Sequence, residues 1–331
     1  MLKVGVVGCG RIGRRHALGY QSHPDCKLVC VCDLVKAKAD ERAAELGVKA
    51  YYSVPEMLAS EPLDAVGVIT ADALHFEPTM QALEAGKHVL VEKPLAHEVG
   101  LARQLVAKAN ERGVFLSIDY NRRFAEGYHW AKTWQEEGLL GKPAYINLRI
   151  AQRGPYASSW LKPYHLLYDL HVHMFDVLRH FAGEVEALST EMYDPRDTGY
   201  YTSIATSLKF ASGAVGNLLV SWDSSFRHEI EYMELCGDKA RIEVHNITEQ
   251  AVLLPHDADV RMVRKAGAMQ AEAAVFDNTF ARRVHAFVSD LTAGRTPYPL
   301  GVDGLRALEL IQAAIRSFEE GRRVRVAEVT A

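Results

Sequence analysis

Gly8-Cys9-Gly10-Arg11-Ile12-Gly13 leaves an apolar run and opens a helical pattern, the context in which a G-x-G-x-x-G spacing holds a dinucleotide pyrophosphate. The first glycine allows a tight turn, the second lets backbone approach the phosphates, and the third lets the helix pack closely on its strand. The N–H groups of Arg11, Ile12 and Gly13 start that helix, where unpaired donors and the helix dipole favour an anion. Asp33 ends the next apolar run about 20 residues on, where a carboxylate accepts hydrogen bonds from an adenosine ribose. It would repel a 2′-phosphate, and Leu34, Val35 and Lys36 include no arginine to offset that repulsion. The expected cofactor is therefore NAD, with NADP disfavoured. A helix N-cap is the plainer role for Asp33.

A second group lies at the ends of later apolar runs. Ligands of open parallel sheets bind outside the carboxyl ends of the strands, so polar residues there are candidates. Thr70 ends the run 64–70 with His75 shortly after, Glu92-Lys93-Pro94 follows 88–91, and Asn121 and Arg122 follow 114–119. Lys93, on a stiff backbone between Glu92 and Pro94, has an ammonium able to hydrogen-bond an alkoxide forming on a substrate. Its plainer role is a surface pair with Glu92.

A third group sits on a helical stretch. Asp169, His173, Asp176 and His180, at i, i+4, i+7 and i+11, fall within about 60° of one face of a regular helix. Leu167, Leu170, Met174, Leu178 and Phe181 fall on another, the expected core face. His171 points roughly opposite His173, so the two cannot share a metal from one regular helix, and no metal site is expected. Upstream, Arg153, Tyr156, Trp160, Tyr164 and His165 form an aromatic and polar stretch suited to sugar rings and hydroxyls, although core packing explains Trp160 as readily. The Arg282-Arg283 pair reads as a solvated helical face.

The elements that position these groups divide the chain in two. Strands are expected at 3–7, 27–33, near 50–52, and at 64–70, 88–91 and 114–119, alternating with helices at 11–22, 35–46, 74–85 and 98–112. That alternation predicts βαβ units, hence a doubly wound parallel sheet over residues 1–120. Gly47, Gly86 and Gly113 are placed to end three of the helices. Residues 121–331 open with helices at 124–137 and 163–181. Strand-like runs follow at 185–193, 200–210, 214–222, 229–236, 240–245 and 251–254, then helices at 275–291 and 304–319. This second domain is expected to be α+β with an antiparallel sheet. The runs 200–210 and 214–222 carry apolar or aromatic residues on both alternations, which predicts a covered second sheet face and a homodimer or homotetramer.

With 331 residues, 48% hydrophobic and 24% charged, the chain is long enough for two globular domains. Forty-two acidic against 38 basic residues give a formal charge of −4, which offers no positive field for nucleic acid or an anionic membrane. No apolar run approaches the roughly 18–20 residues of a membrane span, and the chain begins on a strand pattern where a signal peptide would sit, so a cytoplasmic location is expected. The five cysteines, Cys9, Cys26, Cys30, Cys32 and Cys236, lack zinc or disulfide spacing and read as reduced thiols.

Taken in order, the glycine turn, Asp33, Thr70…His75, Glu92-Lys93-Pro94 and Asp169-Leu-His-Val-His173 resemble the glucose-fructose oxidoreductase/inositol dehydrogenase/MocA family over nearly the whole chain. The resemblance implies a Rossmann domain joined to an α/β domain whose open, mostly antiparallel sheet often forms the oligomer contact. It also implies NAD(P)-linked oxidation or reduction of sugars, cyclitols and related polyols. It places the lysine of the E-K-P motif on Lys93 and the D-x-x-x-H pair on Asp169 and His173, with His173 as acid/base and Asp169 as its orienter and a substrate ligand. Glu92, Thr70 and His75 join the cofactor side, while Asn121, Arg122, Arg153, Tyr156 and Trp160 join the substrate side. Two departures are Ala71, where members usually show proline, and 164–168, where glycines are common. Alternatives are NAD-dependent glycoside elimination through transient oxidation on the same fold, or a non-catalytic dinucleotide-binding regulator.

Overall fold

The computed structural model describes residues 1–154, 162–265 and 272–330, with the helical backbone alone for 272–277. The chain forms two compact units, Met1–Asn121 with Phe276–Arg306, and Arg122–Val275 with Ala307–Ala331.

In the first unit β1 (Leu2–Val7), α1 (Arg11–Ser22), β2 (Cys26–Cys32), α2 (Lys36–Leu46), β3 (Lys49–Tyr51), α3 (Val54–Ser60), β4 (Ala65–Val68), α4 (Phe76–Glu84), β5 (His88–Val91), α5 (Val99–Arg112) and β6 (Leu116–Ile118) follow one another. The six strands are parallel, in the order β3-β2-β1-β4-β5-β6. Central strands of such a sheet are covered on both faces, which is why Ala-Val-Gly-Val in β4 is buried at every position. Strand order reverses between β1 and β4, and a crevice opens at that switch point beside the carboxyl ends. Gly47, Gly86 and Gly113 have left-handed φ of 67°, 70° and 66° where α2, α4 and α5 end. Helix α3 was not predicted, although Pro55 in its first turn is a helix-start signal.

The second unit contains α6 (Glu126–Glu136), β7 (Pro143–Ala151), a π-helical segment Leu167–His171 running into α7 (Val172–Ala182), and then β8 (Val185–Tyr193), β9 (Ser203–Phe210), β10 (Val215–Ser221), β11 (Glu231–Gly237), β12 (Ala240–His245), β13 (Gln250–Pro255) and β14 (Met262–Lys265). After α8 (Glu272–Thr292) and α9 (Gly301–Glu320), the short β15 (Val324–Arg325) and α10 (Ala327–Thr330) complete the chain. Nine strands form one sheet in the order β14-β13-β12-β11-β7-β10-β9-β8-β15, antiparallel except for β7 with β10. Strand β7 is central yet was not predicted, although Ile146, Leu148 and Ile150 alternate inward with outward Tyr145, Asn147 and Arg149. Outward positions of β9 and β10 are Ser203, Ala205, Ser207, Lys209, Val215, Asn217 and Leu219, so that face is mixed rather than apolar.

Helix α8 returns to the first unit, where Val284, Phe287 and Val288 join Val4, Val6, Tyr20 and Leu90 in one core. A single boundary after residue 120 leaves this return out. Arg283 on the same helix is fully buried, correcting its reading as a solvated residue. Its guanidinium donates to the Ile118 carbonyl and to Ser117 Oγ at the end of β6. Cys9, Cys26, Cys30 and Cys32 are free and buried, and burial chiefly pushes their thiols up to about 12, so they stay protonated. Among the described residues no helix is long and apolar enough to cross a membrane.

Candidate active site

Gly8, at φ 102°, turns the chain out of β1, and a side chain there would overlap the Ile69 carbonyl. A Cβ on Gly13 would strike the Gly8 carbonyl, so α1 can pack this closely only on glycine. A Cβ on Gly10 would meet nothing within 4 Å; it would occupy the space a phosphate needs. Gly10 is the N-cap of α1 and supplies no side chain to the first-turn N–H groups of Arg11, Ile12 and Gly13. These residues line an open groove of about 440 Å³ together with Asp33, Thr70, Ala71 and Lys38. Asp33 accepts the Cys9 and Val35 N–H groups, each at 2.8 Å, which fixes its carboxylate at the groove wall. The N-cap of α2 is Val35, not Asp33. Lys36 lies with its ammonium 4.4 Å from the centre of the Tyr52 ring. Lys38, two residues on, lines the groove. The residues present fit NAD, with the glycines clearing the pyrophosphate and Asp33 set for a ribose. Asp33→Ser should narrow the preference for NAD over NADP by about tenfold or more, the scale of one charge-assisted hydrogen bond; an unchanged ratio of dissociation constants would remove Asp33 from the ribose site.

Past the end of β4, Ala71 has φ −66°, the angle a proline ring would impose at this position. His75 is buried, and its Nδ1 and Nε2 lie 2.6 Å from the Pro94 carbonyl and 3.2 Å from the Thr70 carbonyl. Burial lowers its pKa against those bonds. A neutral ring carries one N–H, so it donates to one of these carbonyls, the nearer being that of Pro94.

Lys93 is half-buried beyond the end of β5, and its peptide to Pro94 is cis. Glu92 was expected to face cofactor or to pair with Lys93 at the surface. Instead its Oε2 accepts the Lys93 backbone N–H at 3.0 Å, while Oε1 lies 3.3 Å from Nε2 of His16. His16 is fully buried on α1, and the same Nε2 lies 2.9 Å from Oδ2 of buried Asp119, just past β6. Burial works against a charge on His16, but the two carboxylates prevail and push its pKa up to about 9. Burial and the charge of Glu92 raise Asp119, whereas His16 and Lys93 outweigh burial and hold Glu92 below the ordinary range. Sequence reasoning missed His16 and Asp119. The available signal was a histidine on the face of α1 that also carries Gly13, Ala17 and Tyr20.

Asn121 is buried, donating to Thr279 Oγ1 at 3.0 Å within the first unit. Arg122 is buried in the second, paired with Glu231, which also accepts the Tyr128 hydroxyl at 2.6 Å. Both side chains, expected on the substrate side, thus have one internal partner each. Arg153 is exposed just after β7, while Tyr156 and Trp160 lie outside the described residues.

In the second unit the sequence-derived polar stripe is not one feature. Asp169 lies in the π-helical segment, whose i→i+5 bonding abandons the 100° step of a regular helix, and π segments recur at functional sites. His173 sits in the first turn of α7, mostly buried, with Asp169 partly exposed one turn before it. Asp176 is fully buried in a two-bond pair with Arg123, at 2.9 and 2.6 Å, and belongs to a separate network. His180 is pushed down by burial and by the charges of Arg123 and Lys132. His171 is buried, pushed down to about 3 by burial, and stands beside the Phe175 ring.

A doubly wound sheet with this glycine turn and an acid at the groove wall after β2 defines a dinucleotide-binding protein. Residues 2–120 match the family model described as "Oxidoreductase family, NAD-binding Rossmann fold", and residues 136–326 match "Oxidoreductase family, C-terminal alpha/beta domain". The chain belongs to this NAD-binding oxidoreductase family, the one its motifs resemble. It is 29% identical over 339 residues to myo-inositol 2-dehydrogenase of Thermotoga maritima, covering 99% of both chains. It is 27% identical to D-glucoside 3-dehydrogenase of Escherichia coli, covering 98% of this chain and 97% of that protein. The crystal structure of a probable dehydrogenase from Thermotoga maritima superposes with a TM-score of 0.84 at 26% identity, covering 99% of this chain and 100% of that one.

Proposed function

We propose that this enzyme oxidises a ring hydroxyl of a cyclitol, sugar or sugar derivative by direct hydride transfer to NAD. The observation that carries the reading is Lys93, placed beyond β5 by a turn fixed on both sides, in a sheet whose switch-point groove fits NAD. End-to-end similarity to proteins named for inositol and glucoside oxidation supports the substrate class. Bound NAD supplies the hydride acceptor. The carbinol loses a hydride from carbon and a proton from oxygen, leaving a ketone. His173 takes that proton, Asp169 orients the imidazole and binds a neighbouring hydroxyl, and the Lys93 ammonium stabilises the forming alkoxide. Arg153, Tyr156 and Trp160 contribute to substrate binding.

A panel of polyols and aldoses with NAD and NADP, followed at 340 nm, tests this reading. Steady NADH formation with at least one polyol is expected. Glycoside cleavage with cofactor recycling and no net NADH would favour elimination by transient oxidation, and the absence of turnover with all of them would favour a regulator.

The mixed outer face of β9 and β10 exposes Val215 and Leu219, and we propose that a second copy of this chain covers it. A homodimer or homotetramer is expected by light scattering at micromolar concentration, and a monomer would contradict it. The free, protonated thiols fit a reducing compartment, supporting placement in the cytoplasm.

A further inference from the structure

We propose that His16 is a positioning residue for Lys93, acting through Glu92 from the buried side of the sheet. The inference rests on the role given to Lys93 above. Three parts of the first unit meet at this imidazole: α1 contributes His16, the end of β5 contributes Glu92, and the residue after β6 contributes Asp119. Backbone bonds already join the strand ends, Glu92 N–H to the Val68 carbonyl at 2.9 Å and Asp119 N–H to the Val91 carbonyl at 2.8 Å. They fix the main chain through Glu92 but leave the rotation of its side chain open. His16 fixes that rotation at Oε1, and the carboxylate then presents Oε2 to the N–H of Lys93. Asp119 Oδ2, 2.9 Å from the same nitrogen, adds a second charge contact to the ring. The Lys93 backbone is thereby held through a path that begins on the helix of the phosphate turn, with the His75–Pro94 bond holding the other side of the same turn. An ammonium that stabilises a developing charge must be pre-positioned, and a displacement near 1 Å can cost about 10²-fold in rate.

The charges also explain why a histidine stands here. Two carboxylates in one buried place repel, and an imidazolium beside both favours their charged forms, holding Glu92 low while Asp119 stays raised. Replacing it with a neutral group of similar size leaves the fold its packing but frees the Glu92 side chain. The raised pKa of His16 agrees with a ring kept charged at neutral pH.

The test is a double-mutant cycle of His16→Gln with Lys93→Ala, scored by kcat, KM and NADH affinity. His16→Gln alone should lower kcat about 10–100-fold while KM and the dissociation constant of NADH stay within about threefold. In the Lys93→Ala background the same change should alter kcat less than about twofold, because nothing remains to be positioned. Losses that multiply in the double variant, or a fall in NADH affinity matching the loss in kcat, would overturn the proposal and leave the function of Lys93 intact. Lys93→Ala without effect would instead remove the reading on which it rests. Should His16→Gln fail to fold by circular dichroism, Glu92→Gln makes the same test: a comparable kcat loss that disappears in the Lys93→Ala background. One equivalent of zinc or manganese in the purified enzyme, lost on His16→Gln, would make the three side chains a metal site and overturn the proposal.

Discussion

Replacing His173 with alanine is expected to lower kcat/KM for oxidation by about 10²–10⁴, the range for removing a positioned general base. The hydroxyl proton must leave as the hydride does, and an imidazole is the side chain whose ordinary titration suits that transfer near neutral pH. Oxidation should therefore rise with pH through one ionisation in the parent enzyme, and His173→Ala should abolish that limb. Asp169→Asn should cost less in kcat than His173→Ala and more in KM, because the π-helical residue is assigned both to the imidazole and to a substrate hydroxyl. A His173→Ala enzyme that keeps the limb and most of its rate would move the proton transfer elsewhere, with Lys93 the next candidate.

Lys93→Ala is the other large expected effect, a drop of about 10²–10³ in kcat with NAD affinity within a few fold. That is the scale of losing one pre-organised donor to a developing oxyanion. Lys93 lies past β5, while the glycine turn and Asp33, assigned to the dinucleotide, follow β1 and β2, so the proposed binding and chemical roles fall on different elements. A near-normal kcat would remove Lys93 from the reaction.

What the sequence made legible is what is encoded locally. The glycine turn declares itself because each glycine answers a different steric demand, and the structure shows two would-be clashes and one open space at Gly8, Gly13 and Gly10. Strands of the parallel sheet are readable because burial on both faces makes them continuous apolar runs. The helix at 163–181 was readable as a helix but not in its pitch: its 100° projection grouped Asp176 and His180 with Asp169 and His173. A π segment breaks that projection, and Arg123 claims Asp176. His16, Asp119 and Arg283 were illegible for one shared reason. Each looks solvent-bound or incidental beside its sequence neighbours, and only the sheet's crossovers and the return of α8 bring its buried partners to it. Asn121 and Arg122 show the limit of a strand-end reading, since their position alone does not reveal the internal partners Thr279 and Glu231.

In the proposed reaction hydride passes directly from a carbinol carbon to NAD. The enzyme should be incubated with NAD and a polyol found active in the panel, carrying deuterium on the oxidised carbon, and the NADH analysed by mass spectrometry. One deuterium per NADH formed is expected, with an equal amount of ketone and a slower rate than with the unlabelled polyol. Unlabelled NADH, or label lost to water while no NADH accumulates, would contradict it.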